Sequence, residues 1–475
     1  MKIKGKHRNI LFIELNERNM AVLVHSLFSS WMLSLLFEGQ IFHYLAKEYN
    51  YVVDSINFGS FASMFSGLLL GGFFIKTKQH AKKFFLYSYP FFIVLSLIFF
   101  FSPSVLWAIA IIACSFISGC CVAAWGFYFK TTSEKNERIK AAADLLIISN
   151  ILMIIINVSA INISPYIGLI ISIFMLFCAF LLALKLPANN DADHMKKKDG
   201  SLSISNLLLF FYLFIVIFTI NSGLMYRVIN PAYEHLKSLT SWYWAVPYIA
   251  AIFILRNIYH KIKSSYVLYV AIAMIGLSFI AFIALDRSVT SYFIVNTLML
   301  SSYGVYDLFF WSILGLMLDY HENPAKILGV GLSANVLGIV LGGLVGNNFI
   351  TENLQSINPS LLAFAIVCVT LVLLPPLNKH LVSLLNGHNH HTVFTEMPEF
   401  RQDIQADKIS IFTNLSEREK QVTALLLQGK TYRTIAGELF ISENTVKYYV
   451  KNIYSKFNIK SRTELINVIV KKENQ

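Results

Sequence analysis

The sequence is poor in charge. Asp, Glu, Lys and Arg make up only 14% of its 475 residues, against roughly 25% in soluble domains, which excludes a chain that lies mostly in water. It is also poor in cysteine. Cys114, Cys120, Cys121, Cys178 and Cys368 all fall inside apolar runs. None has metal-ligand spacing with histidine, so they read as small packing residues. No nucleophile–base–orienter set, phosphate loop or metal motif is found, so neither catalysis nor a cofactor or metal site is expected. No cleavable signal peptide is evident. Lys2, Lys4, Lys6 and Arg8 precede only a short apolar stretch broken by Glu14, and the first long apolar helix is expected to act as an uncleaved anchor.

What is abundant is hydrocarbon. Hydrophobic residues reach 56%, with 39 Phe. A spanning helix needs about 20 mostly apolar residues, and about twelve such runs are found. They are approximately 20–44, 51–75, 84–101, 105–129, 141–163, 165–186, 206–226, 239–257, 265–285, 290–318, 327–350 and 359–377. The loops orient them. With the N-terminus in the cytoplasm, the inner segments hold Lys76, Lys78, Lys82, Lys83, Lys130, Lys135, Arg138, Lys140, Lys185, Lys196 to Lys198, Arg256, Lys261, Lys263 and Lys326. The outer segments hold only Lys47, Arg227, Lys237 and Arg287. That asymmetry satisfies the positive-inside rule. It predicts an all-α polytopic bundle in the cell membrane with both termini cytoplasmic.

The sequence divides into an N-terminal segment 1–19, a membrane domain 20–377, a linker 378–411 and a C-terminal domain 412–475. A hydrophilic loop, 187–205, splits the membrane domain into halves 20–186 and 206–377 of six helices each. This 6+6 plan resembles the major facilitator superfamily of transporters, which implies a cavity between the halves near the bilayer midplane. That family's loop after the second helix usually reads Gly-x-x-x-Asp-Arg-x-Gly-Arg-Arg. Here the stretch from Gly72 through Ile75, Lys76 and Lys78 to His80 keeps the basic character but has Ile75 in place of the Asp. The linker is polar, with His388, His390 and His391; these histidines read either as solvated or as a metal cluster.

In residues 412–475 eleven Lys and Arg face six Glu, a net +5. Ser416 with Glu419 three residues on forms a capping box. Leu415, Val422, Leu425 and Leu426 give one apolar face, and Gly429 ends that helix. A second helix turns Ile435, Ala436 and Leu439 inward. Ser442 caps a third, with Val446, Val450 and Ile453 inward, and a fourth shows Leu465, Val468 and Ile469. Two helices joined by a tight turn, the second with basic residues near its start, make a helix-turn-helix. The run Leu415-Ser-Glu-Arg-Glu, Gly429-Lys, Ile435-Ala436, Leu439, Ser442-Glu-Asn444-Thr445-Val446-Lys447, Ile453, Lys456 and Ser461-Arg462-Thr463 resembles the LuxR (GerE-type) DNA-binding domain. Tyr448-Tyr449 and Phe457 depart from its usual residues. The resemblance implies that the third helix enters the major groove, with Ser442, Asn444, Thr445, Val446, Lys447 and Lys451 at or near the contacts. Val446 either touches a thymine methyl or packs. Lys451 and Lys456 meet phosphate or lie on a solvated face. The last helix, through Arg462, Leu465 and Ile469, would pair two chains on promoter DNA.

No receiver or soluble autoinducer domain precedes this domain in the sequence, so the input is expected through the membrane part. Ionisable groups in the bilayer are costly and often functional. Asp307, among Tyr303, Tyr306 and Trp311, is a candidate site for a cationic or hydroxylated small molecule, or is paired with a neighbour's Asn or Tyr. Glu38, Trp125 and Tyr128 are further candidates. His25, Asn157 and Asn221 are expected to bond between helices, and Asp144 and Asp319 to answer nearby lysines. The chain therefore reads as a membrane-embedded one-component regulator sensing a small molecule; the alternative is a transporter with a fused regulatory domain.

Overall fold

The structure, a computed structural model, describes residues 16–37, 39–51, 53–134, 137–188, 204–258, 264–320, 322–351, 363–376, 415–427, 430, 432–457, 459, 462, 464 and 465. The chain forms two compact units, one of residues 1–193 and 211–374, the other of residues 194–210 and 375–475. All regular structure among the described residues is helical.

The larger unit is a membrane helix bundle. Its helices are α1 (Glu17–Leu35), α2 (Gln40–Glu48), α3 (Asp54–Phe74), α4 (Lys78–Ser96), α5 (Val105–Ala124), α6 (Gly126–Thr132), α7 (Arg138–Asn162) and α8 (Pro165–Lys185). After the central loop come α9 (Ile204–Leu224, of which residues 211 onward belong to this unit), α10 (Val246–Ile258), α11 (Ser264–Ala284), α12 (Val289–Met317), α13 (Pro324–Thr351) and α14 (Ala363–Pro376, of which residues up to 374 belong to it). Nine helical stretches among the described residues are long and apolar enough to cross a bilayer, six before the central loop and three after it. Leu209–Leu224, Tyr243–Ile258 and Ala363–Pro376 are shorter apolar helices within the second half. Side-chain caps start several of them. Thr77 accepts from the His80 N–H, Ser288 from Ser291 and Ser164 from Tyr166, the last followed by Pro165 at the first helical position, where its missing donor is harmless.

The bundle is built for lipid. Val94, Phe101, Phe174 and Val372 face outward and exposed, whereas Ser30, Ser34, Ser115, Ser118 and Ser302 are fully buried. Lipid gives apolar surfaces no reason to leave it, so small residues and close packing hold such helices together. Gly67 shows this at the crossing of α3 and α5: a Cβ there would lie 1.9 Å from the Phe116 carbonyl oxygen. Cys120 Sγ bonds to the Gly67 carbonyl at 3.2 Å in the same crossing.

Two expectations change. The first spanning run, expected to be continuous over 20–44, breaks between Leu35 and Gln40. Gly39 caps α2 so close to α1 that a Cβ would sit 2.1 Å from the Ser34 carbonyl oxygen, so only glycine fits the turn. Asp144 and Asp319 take their hydrogen bonds from arginines, although the charge of Asp319 also acts on Lys130. Asp144 takes Arg18 Nη2 at 2.9 Å and Arg256 Nε at 2.5 Å. Asp319 takes Arg138 Nη2 at 2.9 Å, while Arg138 Nη1 donates to the Gly315 carbonyl at 2.8 Å. The forked guanidinium serves two acceptors at once, which an ammonium on one stem does less well. These contacts tie the ends of α1, α7, α10 and α12 together.

The smaller unit contains α15 (Glu417–Leu427), α16 (Tyr432–Glu438) and α17 (Glu443–Lys456). Of the expected fourth helix, Arg462, Glu464 and Leu465 are described, and all three are helical. Leu415, Val422, Leu426, Ile435, Ala436, Val446, Val450, Ile453 and Leu465 form its core. The capping box is present: Glu419 Oε2 accepts from the Ser416 N–H at 2.7 Å, and Ser416 Oγ from the Glu419 N–H at 3.3 Å. Linker 378–411, with its histidines, lies outside the described residues.

Candidate ligand cavity and nucleic-acid interface

Within the membrane unit a cavity of about 630 Å³ is lined by Leu145, Trp311, Tyr44 and Glu234 among others. That volume suits a drug-sized molecule. On α12, Tyr303, Asp307 and Trp311 recur every four residues, which stacks them on one helix face, and all three line the cavity. Tyr248 at the start of α10 also lines it and donates from Oη to Asp307 Oδ2 at 2.8 Å. Its tyrosine hydroxyl lies 59 positions before Asp307, so spacing gave no sign of it.

The other candidates divide. Trp125 stands outside the lining. Its Nε1 donates to the Ala21 carbonyl at 3.3 Å, and its ring lies stacked between His25 and Phe129, each 4.7 Å away, with Trp311 edge-on at 5.8 Å. It supports the wall rather than forming it. Tyr128 donates to the Pro187 carbonyl at 3.1 Å. Glu38 lies outside the described residues. The interhelical bonds expected of His25 and Asn157 are not made at His25 Nδ1 or Asn157 Oδ1, which have no hydrogen-bond partner among the described residues. Both residues line the cavity. Asn221 likewise has an unbonded amide.

The charge of the lining is one-sided. Among the described residues it holds two carboxylates, Asp307 and Glu234, and no lysine or arginine. Glu234 is exposed and lies 3.7 Å from the exposed Lys47 ammonium. Asp307 makes no ion pair among the described residues.

In the smaller unit, Ser442 caps α17 and accepts from the Thr445 N–H at 3.1 Å; its hydroxyl also lies 2.7 Å from Thr445 Oγ1. Beyond this cap, Asn444, Lys447, Tyr448 and Lys451 form an exposed stripe along one face of the helix. Lys447 Nζ is 3.3 Å from Glu443 Oε1, an exposed pair that leaves the ammonium accessible. Val446 is no part of that face: it is fully buried against Ile435 and Ile453, because four positions on from the cap the helix turns inward. Sequence reasoning passed over Tyr448, which is 62% exposed in the middle of the stripe; its aromatic character was the available signal.

Lys456, expected either on phosphate or on a solvated face, is exposed and also bonds Glu419 Oε2 at 2.7 Å, tying the end of α17 to the start of α15. Burial pushes the Glu419 carboxyl up, but the Lys456 ammonium and the Ser416 donors outweigh it and hold the group below its ordinary value. Arg462 and Leu465, expected to pair two chains, serve the monomer. The Arg462 guanidinium donates to the Lys430 carbonyl at 3.2 Å and to the Leu426 carbonyl, closing the end of α15, and Leu465 is fully buried in the core. Ile469 lies outside the described residues.

Comparison with known proteins agrees with both units. Residues 413–469 match the model of "Bacterial regulatory proteins, luxR family". The spore germination protein GerE of Bacillus subtilis is 44% identical over 52 residues, which is 11% of this chain and 70% of GerE. Other curated regulators match over 24% to 38% of their own length. Over the membrane unit, the Major Facilitator Superfamily transporter FucP in the outward conformation superposes with a TM-score of 0.54 at 14% identity, covering 75% of this chain and 98% of FucP. A bacterial homologue of the iron transporter ferroportin, in its outward-facing state, gives 0.58 at 14% identity over 78% of this chain and all of that one. At such identity the likeness is one of fold. By its C-terminal helix-turn-helix, joined to a membrane bundle of major-facilitator-like fold, the chain belongs to the luxR family of bacterial regulatory proteins.

Proposed function

We propose that this protein is a membrane-embedded one-component transcriptional regulator: its bundle senses a small molecule and its helix-turn-helix binds promoter DNA. The observation that carries the reading is one chain holding both a 630 Å³ cavity and an exposed, basic recognition face on α17. On DNA, Lys447 and Lys451 meet phosphate or base edges, with Asn444, Thr445 and Tyr448 beside them in the major groove. Ser442 fixes the start of the helix. Two chains meet on a two-fold site through the last helix, beyond the inward-facing Arg462 and Leu465. The protein sits in the cell membrane with both termini cytoplasmic, because its C-terminal domain must reach DNA. A ligand acts by unequal affinity for two arrangements of the bundle.

Transcription measured genome-wide with the gene intact, deleted, or carrying Lys447→Ala with Lys451→Ala tests this. A small gene set that changes alike in the deletion and the double variant is expected. A double variant that behaves as the wild type while the deletion has an effect overturns it. The transporter-like fold favours a second reading, active transport by the bundle. Uptake of a cavity ligand into proteoliposomes would support that reading.

A further inference from the structure

We propose that the cavity takes an organic cation, its ammonium group on the Asp307 carboxylate and its carbon body among Tyr248, Tyr303 and Trp311. The inference rests on reading the cavity as the regulator's ligand site, and it names the ligand's class.

Charge is the first argument. Asp307 receives one neutral donor, Tyr248, and no cationic partner among the described residues, in a region where ionisable groups are expensive and usually matched. An ammonium ligand supplies the missing charge. An anion would meet a carboxylate with no lysine or arginine among the described lining residues to offset it. Glu234 adds a second carboxylate to the lining, beside Lys47.

Shape and chemistry are the second argument. Tyr303 and Trp311 lie one turn before and one turn after Asp307 on α12, and aromatic faces attract cations held near them. The cation is organic rather than a bare metal ion. The cavity far exceeds an ion's size, and no group of three His, Cys, Asp or Glu placed to hold a metal occurs among the described residues. At the α1 and α7 walls, His25 Nδ1 and Asn157 Oδ1 remain without hydrogen-bond partners among the described residues.

The test uses the full chain in lipid nanodiscs and follows tryptophan fluorescence, since Trp244 and Trp311 both line the cavity. The probes are benzyltrimethylammonium, its uncharged isostere neopentylbenzene, and benzoate. Benzyltrimethylammonium is expected to bind at least tenfold more tightly than either. Asp307→Asn should abolish that preference and Asp307→Glu should keep it. Equal or tighter binding of the neutral or anionic probe to the wild-type protein overturns the proposal without recourse to any variant, as does failure of benzyltrimethylammonium to bind. A promoter reporter separates this inference from the reading beneath it. Asp307-dependent binding of the cation with no change in transcription upholds the ligand class and removes the sensing role. A neutral ligand that occupies the cavity and shifts transcription does the reverse.

Discussion

Arg138 and Asp319, 181 positions apart, meet at 2.9 Å at the end of the bundle where α7 begins and α12 ends, with both side chains largely buried. The second nitrogen of Arg138 holds the Gly315 carbonyl, one turn before the aspartate. Removing one partner of a buried pair leaves a charge without compensation, which costs about 3–5 kcal/mol. Asp319→Ala is therefore expected to lower the thermal midpoint of the detergent-purified protein sharply. Arg138→Met with Asp319→Leu should recover much of the loss. An unchanged midpoint in the single variant would show that water already screens the pair.

Arg462 gives the second prediction. Its bonds to the Leu426 and Lys430 carbonyls close the end of α15. Hydrogen bonds from a charged group contribute roughly 1.5–3 kcal/mol each. Arg462→Ala should lower the stability of the smaller unit, read by limited proteolysis, whether or not DNA is present. A variant of normal protease resistance that fails only in pairing on DNA would restore the residue to the chain–chain interface.

The third concerns acid. The Glu419 carboxyl lies below its ordinary value in the folded chain. A depressed carboxyl contributes stability that is complete above its unfolded value, about 4.3, and is lost as pH falls through the folded value. The stability of the smaller unit should therefore fall on acidification below about pH 5, by the linkage between proton binding and folding. Glu419→Gln should be less stable near neutrality and show a shallower acid slope. Parallel pH profiles for the two proteins would refute the coupling.

The fourth separates positioning from reading on DNA. Each phosphate contact contributes about 0.9 to the slope of log affinity against log salt. Lys447→Ala or Lys451→Ala should reduce that slope by about that amount if the lysine neutralises a phosphate. Tyr448→Ala should leave the slope alone and relax the preference for specific over random DNA, the signature of a base-edge contact worth about 1–3 kcal/mol. Identical behaviour of Tyr448→Ala and wild type on both kinds of DNA would exclude Tyr448 from the interface.

Local signals determined much of this protein. Runs of apolar residues reveal spanning helices because a bilayer leaves the backbone no partner but itself. Ser416, Glu419 and Ser442 announced their helix starts because a cap acts over three residues. The inward positions Val422, Ile435, Val450 and Ile453 followed from helical period alone. What only the tertiary structure decided were relations between distant residues. Arginine rather than lysine on Asp144 and Asp319, Tyr248 on Asp307, Trp125 behind the cavity wall and Lys456 on Glu419 each join positions between 37 and 186 residues apart. Sequence spacing carries no record of such pairs, since they are set by which helices pack together. The same holds for Val446, Arg462 and Leu465. Their residue types suit an interface as well as a core, and only the packing of the described segments against one another turned them inward.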